Sequence, residues 1–521
     1  MDRSKRTNSL LSSAVILTAL TFLSKLLTFV REQIIAMTYG ATIEMDCYNI
    51  ANGLLSNIIY LLFAALGVAY LPLYIENREK RGKEAASEFT NKVVTIFTII
   101  AAILGLILFV FADLISYICA PKYLPADRER VSQYFRILSA GLLFTSATHV
   151  LTGTLNAEKK YGYSSLSGMI LSATQILFMF LLAPIWGINS LVISVPVAYF
   201  VQMIVLLLRS NKFVKPKLIF KIDDDIKKLF KLAIPIFMSQ SIVEINQLID
   251  RLLSSTLTAG SVSALSYGAN VSRVVNSLFS SVFSTLIFTE LSESFVKKDD
   301  NRINRILSRS ISLILFILVP LTIITIICGT DIVTIVYKRG AFGDEAVRLT
   351  TIVLRAYCIT WSSSAISSLI SHLFYSVHKT KIAMKVSIIA AICNSCISFA
   401  LMYFIGFTGV VAGTVISSII LVILNFYILR KTVPNMKLKG MTSKVFKIVF
   451  SSLITGVVCF GMHRLSSRYL TSTLLVFILV TIVSFATYVL VSIIIKSEDL
   501  QYAKTILQNS IGRMKFRTVK K

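Results

Sequence analysis

The chain contains one apolar run after another, each long enough to cross a lipid bilayer and separated from the next by a short polar loop. A helix needs roughly 20 apolar residues to span the hydrocarbon core. Only 15% of the residues are charged, against about 25% in an average soluble protein. A membrane β-barrel would instead show short segments of alternating hydrophobicity. The sequence therefore predicts an all-α polytopic membrane protein.

We predict fourteen membrane-spanning helices from these runs. They cover residues 10–34, 46–74, 91–117, 131–156, 164–184, 190–209, 229–254, 261–290, 307–328, 349–376, 383–405, 408–430, 444–463 and 472–495. Lysine and arginine concentrate at both termini and in alternate loops, such as Arg78–Lys83. The positive-inside rule then predicts that both termini are cytoplasmic, and an even number of spans agrees.

The net charge of +27 follows from this topology. The cations flank the spans, where they set orientation and contact anionic membrane lipids, so we expect no nucleic-acid partner. No loop is long enough for a soluble catalytic domain, and common catalytic motifs are absent from the sequence. We therefore expect no enzymatic activity. The run Asp223–Asp225 is interpreted as a solvated loop or as an N-cap for the next helix.

An internal repeat relates the two halves of the chain. Arg136 corresponds to Arg355 at an offset of 219 residues (355 − 136), and each lies near the start of a span. The same offset pairs further residues of equivalent position: Gln175 with Asn394, and Gly187 with Gly406. Six spans per repeat is an even number, so both halves have the same orientation. Such parallel repeats are typical of transporters that rock two helix bundles around a central site.

The repeat predicts four parts of the chain. An N-terminal lobe of six helices covers residues 1–209 and is followed by a cytoplasmic linker, residues 210–228. A C-terminal lobe of six helices covers residues 229–430. Residues 431–521 contain two additional helices and a basic cytoplasmic tail.

Ionisable residues inside the predicted spans point to function, because such groups are costly in hydrocarbon and usually face a cavity or a partner. They are Lys25, Arg31, Glu32, Asp46, Arg136, Glu244, Asp250, Arg251, Arg273 and Arg355. Cations outnumber acids, which favours an anionic substrate such as a phosphate or pyrophosphate. Lys25 supports this inference most, since it lies about 22 Å along its helix from the cytoplasmic end.

Several of these residues also have a purely structural interpretation. Arg31 and Glu32 could mark the outer boundary of the membrane, and Asp46 could cap the second span. Arg136 and Arg355 could extend toward the interface.

Oxygen-bearing side chains in three further spans form a second candidate cluster. They are Asp250, Asn394, Ser398 and Thr414. If they converge they could hold a small hard cation. The alternative is hydrogen bonding between helices.

Two segments make the chain similar to a known family. The stretch SKLLTFVREQIIAMTYGA at residues 24–41, followed by Asp46 and Tyr48, resembles the first-helix signature of the MurJ (MviN) lipid II flippases. These belong to the multidrug/oligosaccharidyl-lipid/polysaccharide exporter superfamily. The stretch VYKRGAF at residues 336–342 resembles a second signature, and its R-G-x-F part is the more discriminating.

The resemblance implies a V-shaped cationic cavity between two lobes that alternates between inward-open and outward-open states. It implies transport of a peptidoglycan precursor linked to undecaprenyl pyrophosphate across the bacterial cytoplasmic membrane, by a monomer. The last two helices would form a groove for the lipid tail.

Carried over by motif, the predicted substrate-binding residues are Lys25, Arg31, Glu32, Asp46 and Arg273. Arg273 stands one turn after Asn270, which aligns with an arginine of the family. The predicted gate or cavity residues are Arg136, Arg339 and Arg355. A sodium ion is the one cofactor that the resemblance implies, at positions matched by Asp250, Asn394, Val410 and Thr414.

Other functions remain open at this point. A flippase for another polyprenyl-linked polysaccharide unit would share the cationic site. A cation-coupled drug exporter would favour acids in its cavity. A membrane scaffold would tolerate loss of the charges at Lys25 and Arg31.

Overall fold

The computed structural model describes residues 2–215, 217–276, 300–376, 380–432, 440–502 and 504, and its regular elements are helices. The first nine are α1 Asp2–Tyr39, α2 Ile43–Leu54, α3 Tyr60–Val110, α4 Ala112–Cys119, α5 Pro125–Ser139, α6 Gly141–Ala157, α7 Tyr161–Trp186, α8 Asn189–Ser210 and α9 Asp224–Ser255. A π-helical turn, Leu55–Ile59, joins α2 to α3. The later helices are α10 (described over residues 261–276), α11 Asp300–Tyr337, α12 Asp344–Ser376, α13 Thr380–Ile405, α14 Phe407–Thr432, α15 Met441–Tyr469 and α16 Thr473–Ile494.

Every predicted span overlaps one or more of these helices. Within the described residues, eight helical stretches are long and apolar enough to cross a membrane, or nine if the bent pair α5 and α6 counts as one span. The stretch Ile43–Val110 has 68 residues, about 100 Å at ~1.5 Å per residue, which is far more than one crossing needs. Gly82, with φ 90°, breaks it at the predicted cytoplasmic loop, so it provides two spans.

The helix bounds repeat at the offset found in the sequence. The end of α13 follows the end of α7 by 219 residues (405 − 186). The start of α12 follows the start of α5 by the same number (344 − 125). Gly187 and Gly406 end α7 and α13 with φ values of 53° and 59°. The predicted architecture of two parallel six-helix repeats plus two C-terminal helices is confirmed.

Contacts between residues divide the chain into two units. The first contains Met1–Ser263 and Arg339–Ala346, and the second contains Ala264–Lys338 and Val347–Lys521. Helix α9 packs on α3 and therefore falls in the first unit, although the repeat assigns it to the C-terminal lobe. The lobe boundaries follow from the repeat and stay predictions.

In the second unit, the two C-terminal helices α15 and α16 pack on α11. Cys328 of α11, Cys459 of α15 and Val480 of α16 share one buried apolar cluster. The hydroxyl of Tyr488 donates a hydrogen bond to the carbonyl of Phe316 at 2.8 Å. Helix α11 therefore attaches the additional pair to the repeat.

The acidic run before α9 caps that helix. Asp223 Oδ1 accepts a hydrogen bond from the Ile226 amide at 3.1 Å, and Asp225 pairs with Arg81 at 2.8 Å. The N-cap interpretation of this run is confirmed.

Candidate functional site

A row of polar side chains on α1 faces α7, and we call this contact the α1–α7 seam. Three hydrogen bonds join residues 144 positions apart: Thr21–Ser165 at 3.1 Å, Thr28–Ser172 at 3.1 Å and Arg31–Gln175 at 2.9 Å. Gly168 lies against Ser24 at the same separation. A constant separation means that the two helices run parallel in one fixed register. Positions three and four apart share a helix face, so the seam fixes the direction in which Arg31 points.

Arg31 is a largely buried cation near the C-terminal end of this seam. One guanidinium nitrogen donates to Gln175, and another lies 2.5 Å from a carboxylate oxygen of Glu32. The side chains of Arg31 and Glu32 are 17% and 21% exposed. The Nε donor of Arg31 has no hydrogen-bond partner in the described part of the chain. Helix α1 continues to Tyr39, so Arg31 lies inside the helix and not at its end.

Two phenols lie within electrostatic range of Arg31. Tyr48 of α2 and Tyr199 of α8 are electrostatic neighbours of its guanidinium. The site thus draws side chains from α1, α2, α7 and α8. A guanidinium with one buried donor that has no partner can bind an anionic oxygen through charge-assisted hydrogen bonds once the site opens to substrate. Sequence reasoning missed both phenols as members of this site, whereas the repeat had marked Gln175 as a buried amide.

Lys25 lies on a different face of α1. Its side chain is rotated by about 100° around the helix axis from that of Ser24, which belongs to the α1–α7 seam. The Lys25 side chain is exposed. It precedes Arg31 by six residues (31 − 25), about 9 Å along the axis. The structure therefore places Lys25 and Arg31 on separate surfaces of the same helix.

Asp46, in the first turn of α2, holds the turn that begins α10. Its buried carboxylate accepts hydrogen bonds from the amides of Gly260 and Ser263, each at 2.7 Å, and from the Ser263 hydroxyl at 2.5 Å. Acidic oxygens stabilise the start of a helix in this way. Thr42 caps α2 itself, so the structural interpretation of Asp46 as the cap of the second span is wrong. Contact between Asp46 and substrate stays a prediction.

The R-G-x-F segment, residues 339–342, packs against the end of α1. The amide of Ala341 donates to the carbonyl of Met37 at 2.8 Å. Gly340 has φ 57°, and a Cβ there would overlap the same carbonyl. Gly40, with φ 62°, makes an equally close approach to the carbonyl of Ala341. We call these contacts, together with those between Asp46 and residues 260–263, the outer clasp.

Gly340→Ala is expected to destabilise the protein more than Gly187→Ala. Both glycines have positive φ, which costs another residue about 1–2 kcal/mol. Only at Gly340 would the added Cβ also overlap a backbone oxygen, because nothing lies within 4 Å of the Cβ position at Gly187. Thermal unfolding of the two purified variants checks this. Equal melting temperatures would show that the close approach to Met37 contributes nothing.

The predicted gate residues of the first unit lie apart from Arg31. Arg136 pairs with Asp113 at 2.8 Å, and both side chains are substantially exposed, at 35% and 72%. The Ser132 hydroxyl donates to the same carboxylate at 2.5 Å. Arg339 belongs to the segment of the outer clasp, and its carbonyl accepts from the amide of Phe342 at 3.1 Å.

Two predicted arginines belong to the second unit. Arg355 donates to the hydroxyl of Thr330 at 3.3 Å. Arg273 hydrogen-bonds to Asn270 one turn earlier on α10. Their roles in the cavity stay predictions.

Three of the four predicted sodium ligands lie in the second unit, where hydroxyl groups connect them. Asn394 Oδ1 accepts from Ser417 at 2.9 Å and from Ser398 at 3.5 Å. The Ser398 hydroxyl also lies 3.2 Å from the carbonyl of Val410, and Ser417 donates to the carbonyl of Thr414 at 3.0 Å. For Asn394 and Ser398, these contacts agree with the interpretation as hydrogen bonding between helices, here α13 and α14.

The donor set is nevertheless of the right kind for a hard cation, since amide and carbonyl oxygens suit such ions. Asp250, the acidic member, lies in the first unit. Among the described residues, no group of three or more His, Cys, Asp or Glu side chains is placed to hold a metal. The sodium site stays a prediction.

Comparison with known sequences finds one matching family model and several curated relatives. The model of the family described as "Lipid II flippase MurJ" matches residues 35–481. "Probable lipid II flippase MurJ" of Rickettsia prowazekii is 28% identical over 417 residues, which cover 79% of this chain and 82% of that protein. The protein of the same name from Borreliella burgdorferi is 25% identical over 462 residues, which cover 88% and 89%.

Solved structures share the fold. "Lipid II flippase MurJ, inward closed conformation" superposes with a TM-score of 0.79 at 24% identity, covering 92% of this chain and 98% of that one. An inward-facing multidrug resistance MATE family transporter of the MOP superfamily gives a TM-score of 0.66 at 14% identity, covering 82% and 99%. At these identities the likeness concerns the fold alone.

Proposed function

We propose that this chain, which belongs to the lipid II flippase MurJ family, moves lipid II across the bacterial cytoplasmic membrane. The chain is a multi-pass membrane protein, and we place both of its termini in the cytoplasm. The observation that carries the proposal is the partly satisfied guanidinium of Arg31, held inside a membrane helix by Gln175 and Glu32. Such a cation suits the pyrophosphate of a lipid-linked precursor.

Arg31 would bind the pyrophosphate, and Glu32 would compete with the pyrophosphate for Arg31 and so favour its release. Glu32 orients the guanidinium and balances its charge while no substrate is present. An arriving pyrophosphate would compete with Glu32 for the guanidinium nitrogen that the carboxylate contacts, and the buried Nε donor would become available only once the site opens. Lys25, exposed about 9 Å away on another face of α1, would contact the head group during entry.

The outer clasp would close the outward side of the pathway while the head group binds from the cytoplasm. Its contacts join α1 and α2 to residues 260–263 and to the segment 339–342. Release outside would require these contacts to separate, and the empty protein would then re-form them. A ligand shifts such an equilibrium only through its different affinity for the two states. Asp46 would therefore act as a positioning residue for closure.

A second group of contacts, which we call the cytoplasmic latch, joins the loop between the two spans of α3 to the start of α9. Glu76 pairs with Lys80 at 2.8 Å and with Lys228 at 2.7 Å, and Arg81 pairs with Asp225 at 2.8 Å. Exposed ion pairs contribute little to stability, because water and salt screen them. Such a latch can hold α9 and still release it at little cost during a conformational cycle.

Charge reversal at Lys228 is expected to loosen the cytoplasmic latch, and a charge swap should restore it. Lys228→Glu places two acids together, and we expect transport to change by less than about fivefold. The double variant Glu76→Lys/Lys228→Glu should recover part of the loss, because it restores one pair while Glu76→Lys breaks the pair with Lys80. A swap that recovers nothing would show that the pair does not contribute.

The latch is also expected to be insensitive to pH near neutrality. Lys228 and Lys80 lower the pKa of Glu76 from 4.5 to about 2. A lowered pKa means that the contribution of Glu76 is complete above pH 4.5 and is lost as the pH falls toward 2. Raising the salt concentration, in contrast, should weaken the latch at any pH above that window. Comparing the effect of Lys228→Glu at low and high salt measures this.

Complementation tests the proposed cargo. The chain would be expressed in bacteria depleted of their own lipid II flippase, with membrane insertion verified. Growth and normal cell shape are the expected result. Failure to grow with inserted protein would favour another polyprenyl-linked cargo, and drug sensitivity on deletion in the native host would favour an exporter.

We also propose that the chain acts as a monomer, is not an enzyme and uses no cofactor other than a coupling cation. Its basic cytoplasmic loops would contact anionic lipids through charges that also set its orientation.

A further inference from the structure

The linker between α8 and α9 is fastened along the cytoplasmic part of α3. Asn91 and Thr95 are four residues apart and therefore lie on one face of that helix. The side chain of Asn91 donates to the carbonyl of Lys215 at 2.8 Å and accepts from the amide of Lys217 at 3.3 Å. Thr95 accepts from the amide of Ile219 at 3.1 Å. The linker is thus held in place by its backbone, which leaves its side chains for other contacts.

Those side chains combine exposed apolar groups with exposed lysines. Leu218, Phe220 and Ile222 are 91%, 68% and 59% exposed. Lys217 is exposed among them, and residues 209–222 include no acid. Apolar groups interleaved with cations at a membrane boundary favour binding to anionic lipid.

A cavity of about 480 Å³ lies next to the linker, between α3, α6 and α8. This volume is within the range of roughly 300–1,000 Å³ found for ligand pockets. Its apolar lining includes Val94, Phe144, Ala147, Leu151, Met203 and Leu207. Asn91 and Lys217 are among the few polar residues that line it. In the predicted topology all three helices contribute their cytoplasmic halves, so the cavity faces the inner leaflet.

We infer that this cavity binds one anionic glycerophospholipid of the cytoplasmic leaflet. An acyl chain occupies the apolar lining, and the phosphate lies against Lys217. An acyl chain suits the lining because it fills the apolar cavity by van der Waals contact without burying a polar group, and the lysine ammonium suits a phosphate. A zwitterionic lipid would fill the same lining with less electrostatic gain, and free phosphate would leave the lining unused. The site is independent of lipid II transport.

Binding of phosphatidylglycerol to the purified full-length chain, followed by native mass spectrometry in detergent, tests this site. The parent is expected to bind one phosphatidylglycerol more tightly than phosphatidylcholine with the same acyl chains. Lys217→Gln should weaken that binding about fivefold, the effect of one cation near an anionic lipid. Lys212→Gln removes an exposed lysine of the same linker that does not line the cavity, and it should leave the affinity unchanged.

A second variant tests the apolar part. Ala147→Phe fills the cavity from α6 and should prevent phosphatidylglycerol binding even with Lys217 present. Unchanged affinity in both Ala147→Phe and Lys217→Gln would overturn the site. Equal affinity for phosphatidylcholine would overturn its anionic preference, and displacement by inorganic phosphate at similar concentration would overturn the role of the acyl chain. None of these outcomes depends on whether lipid II is the cargo.

Discussion

Arg31→Gln is expected to lower lipid II transport about 10- to 100-fold. Hydrogen bonds to charged groups contribute about 1.5–3 kcal/mol, and each 1.4 kcal/mol changes an equilibrium about tenfold. Arg31 would supply such bonds to the pyrophosphate from a largely buried position, 17% exposed. Initial rates of transport by equal amounts of inserted protein measure this effect.

Loss of stability must be separated from loss of substrate contact. Removing Arg31 alone leaves the carboxylate of Glu32 largely buried without its cation, which is destabilising. The double variant Arg31→Gln/Glu32→Gln removes both charges and should melt near the parental temperature while transporting as slowly as Arg31→Gln. Thr28→Ala removes one hydrogen bond of the α1–α7 seam, to Ser172, without changing any charge. It should stay within a fewfold of the parent.

Arg31→Lys keeps the charge and should be intermediate. A lysine ammonium lacks the planar, forked set of donors of a guanidinium. It therefore cannot hydrogen-bond to both Gln175 and Glu32 and also offer a donor to the substrate. Parental transport by Arg31→Lys would show that charge alone suffices at this position.

Asp46→Ala is expected to open the outer clasp. The carboxylate accepts three hydrogen bonds, from two amides and one hydroxyl, and its removal leaves those donors without their acceptor. A cost of at least about 3 kcal/mol is expected, which is a population shift of more than roughly 100-fold. The amides of Gly260 and Ser263, whose hydrogen bonds Asp46 accepts, report this opening directly. Their hydrogen–deuterium exchange should be much faster in Asp46→Ala, as measured on the peptide by mass spectrometry.

Asn49→Ala is the matched control for Asp46. It removes only the hydrogen bond from Asn49 to the Ser263 hydroxyl, at 3.1 Å, worth about 0.5–1.5 kcal/mol. Exchange of the Gly260 and Ser263 amides should therefore increase by less than about tenfold. Exchange in Asp46→Ala no faster than in Asn49→Ala would contradict the role given to the carboxylate.

Much of the fold follows from local sequence signals. Apolar runs place the helices, and turn residues such as Gly187 and Gly406 place their ends, because both effects act over a few neighbouring residues. The offset of 219 residues between Arg136 and Arg355 also separates equivalent helix ends, because the same local signals recur in both halves of the chain. The end of α1 was predicted at residue 34, whereas the helix ends at Tyr39. The pairing of Arg31 with Glu32 was not visible in the sequence.

The site residues could be singled out, but their partners could not. Arg31 contacts Gln175 across 144 positions, and Asp46 contacts Ser263 across 217. Such pairs depend on how distant helices pack, and single-sequence patterns carry no such information. One signal was present: Thr21, Thr28 and Arg31 have the spacing of one helix face, which indicates a polar seam once α7 is placed beside it.

The most direct test of the central claim is lipid II transport in vesicles. Fluorescent lipid II would be reconstituted with the purified chain, and a membrane-impermeant quencher would report how fast the inner-leaflet pool becomes accessible. The account predicts that the parent accelerates this exchange over protein-free vesicles and that Arg31→Gln/Glu32→Gln, folded and inserted equally, does not. A parent that gives no acceleration, or a double variant that equals the parent, would contradict it.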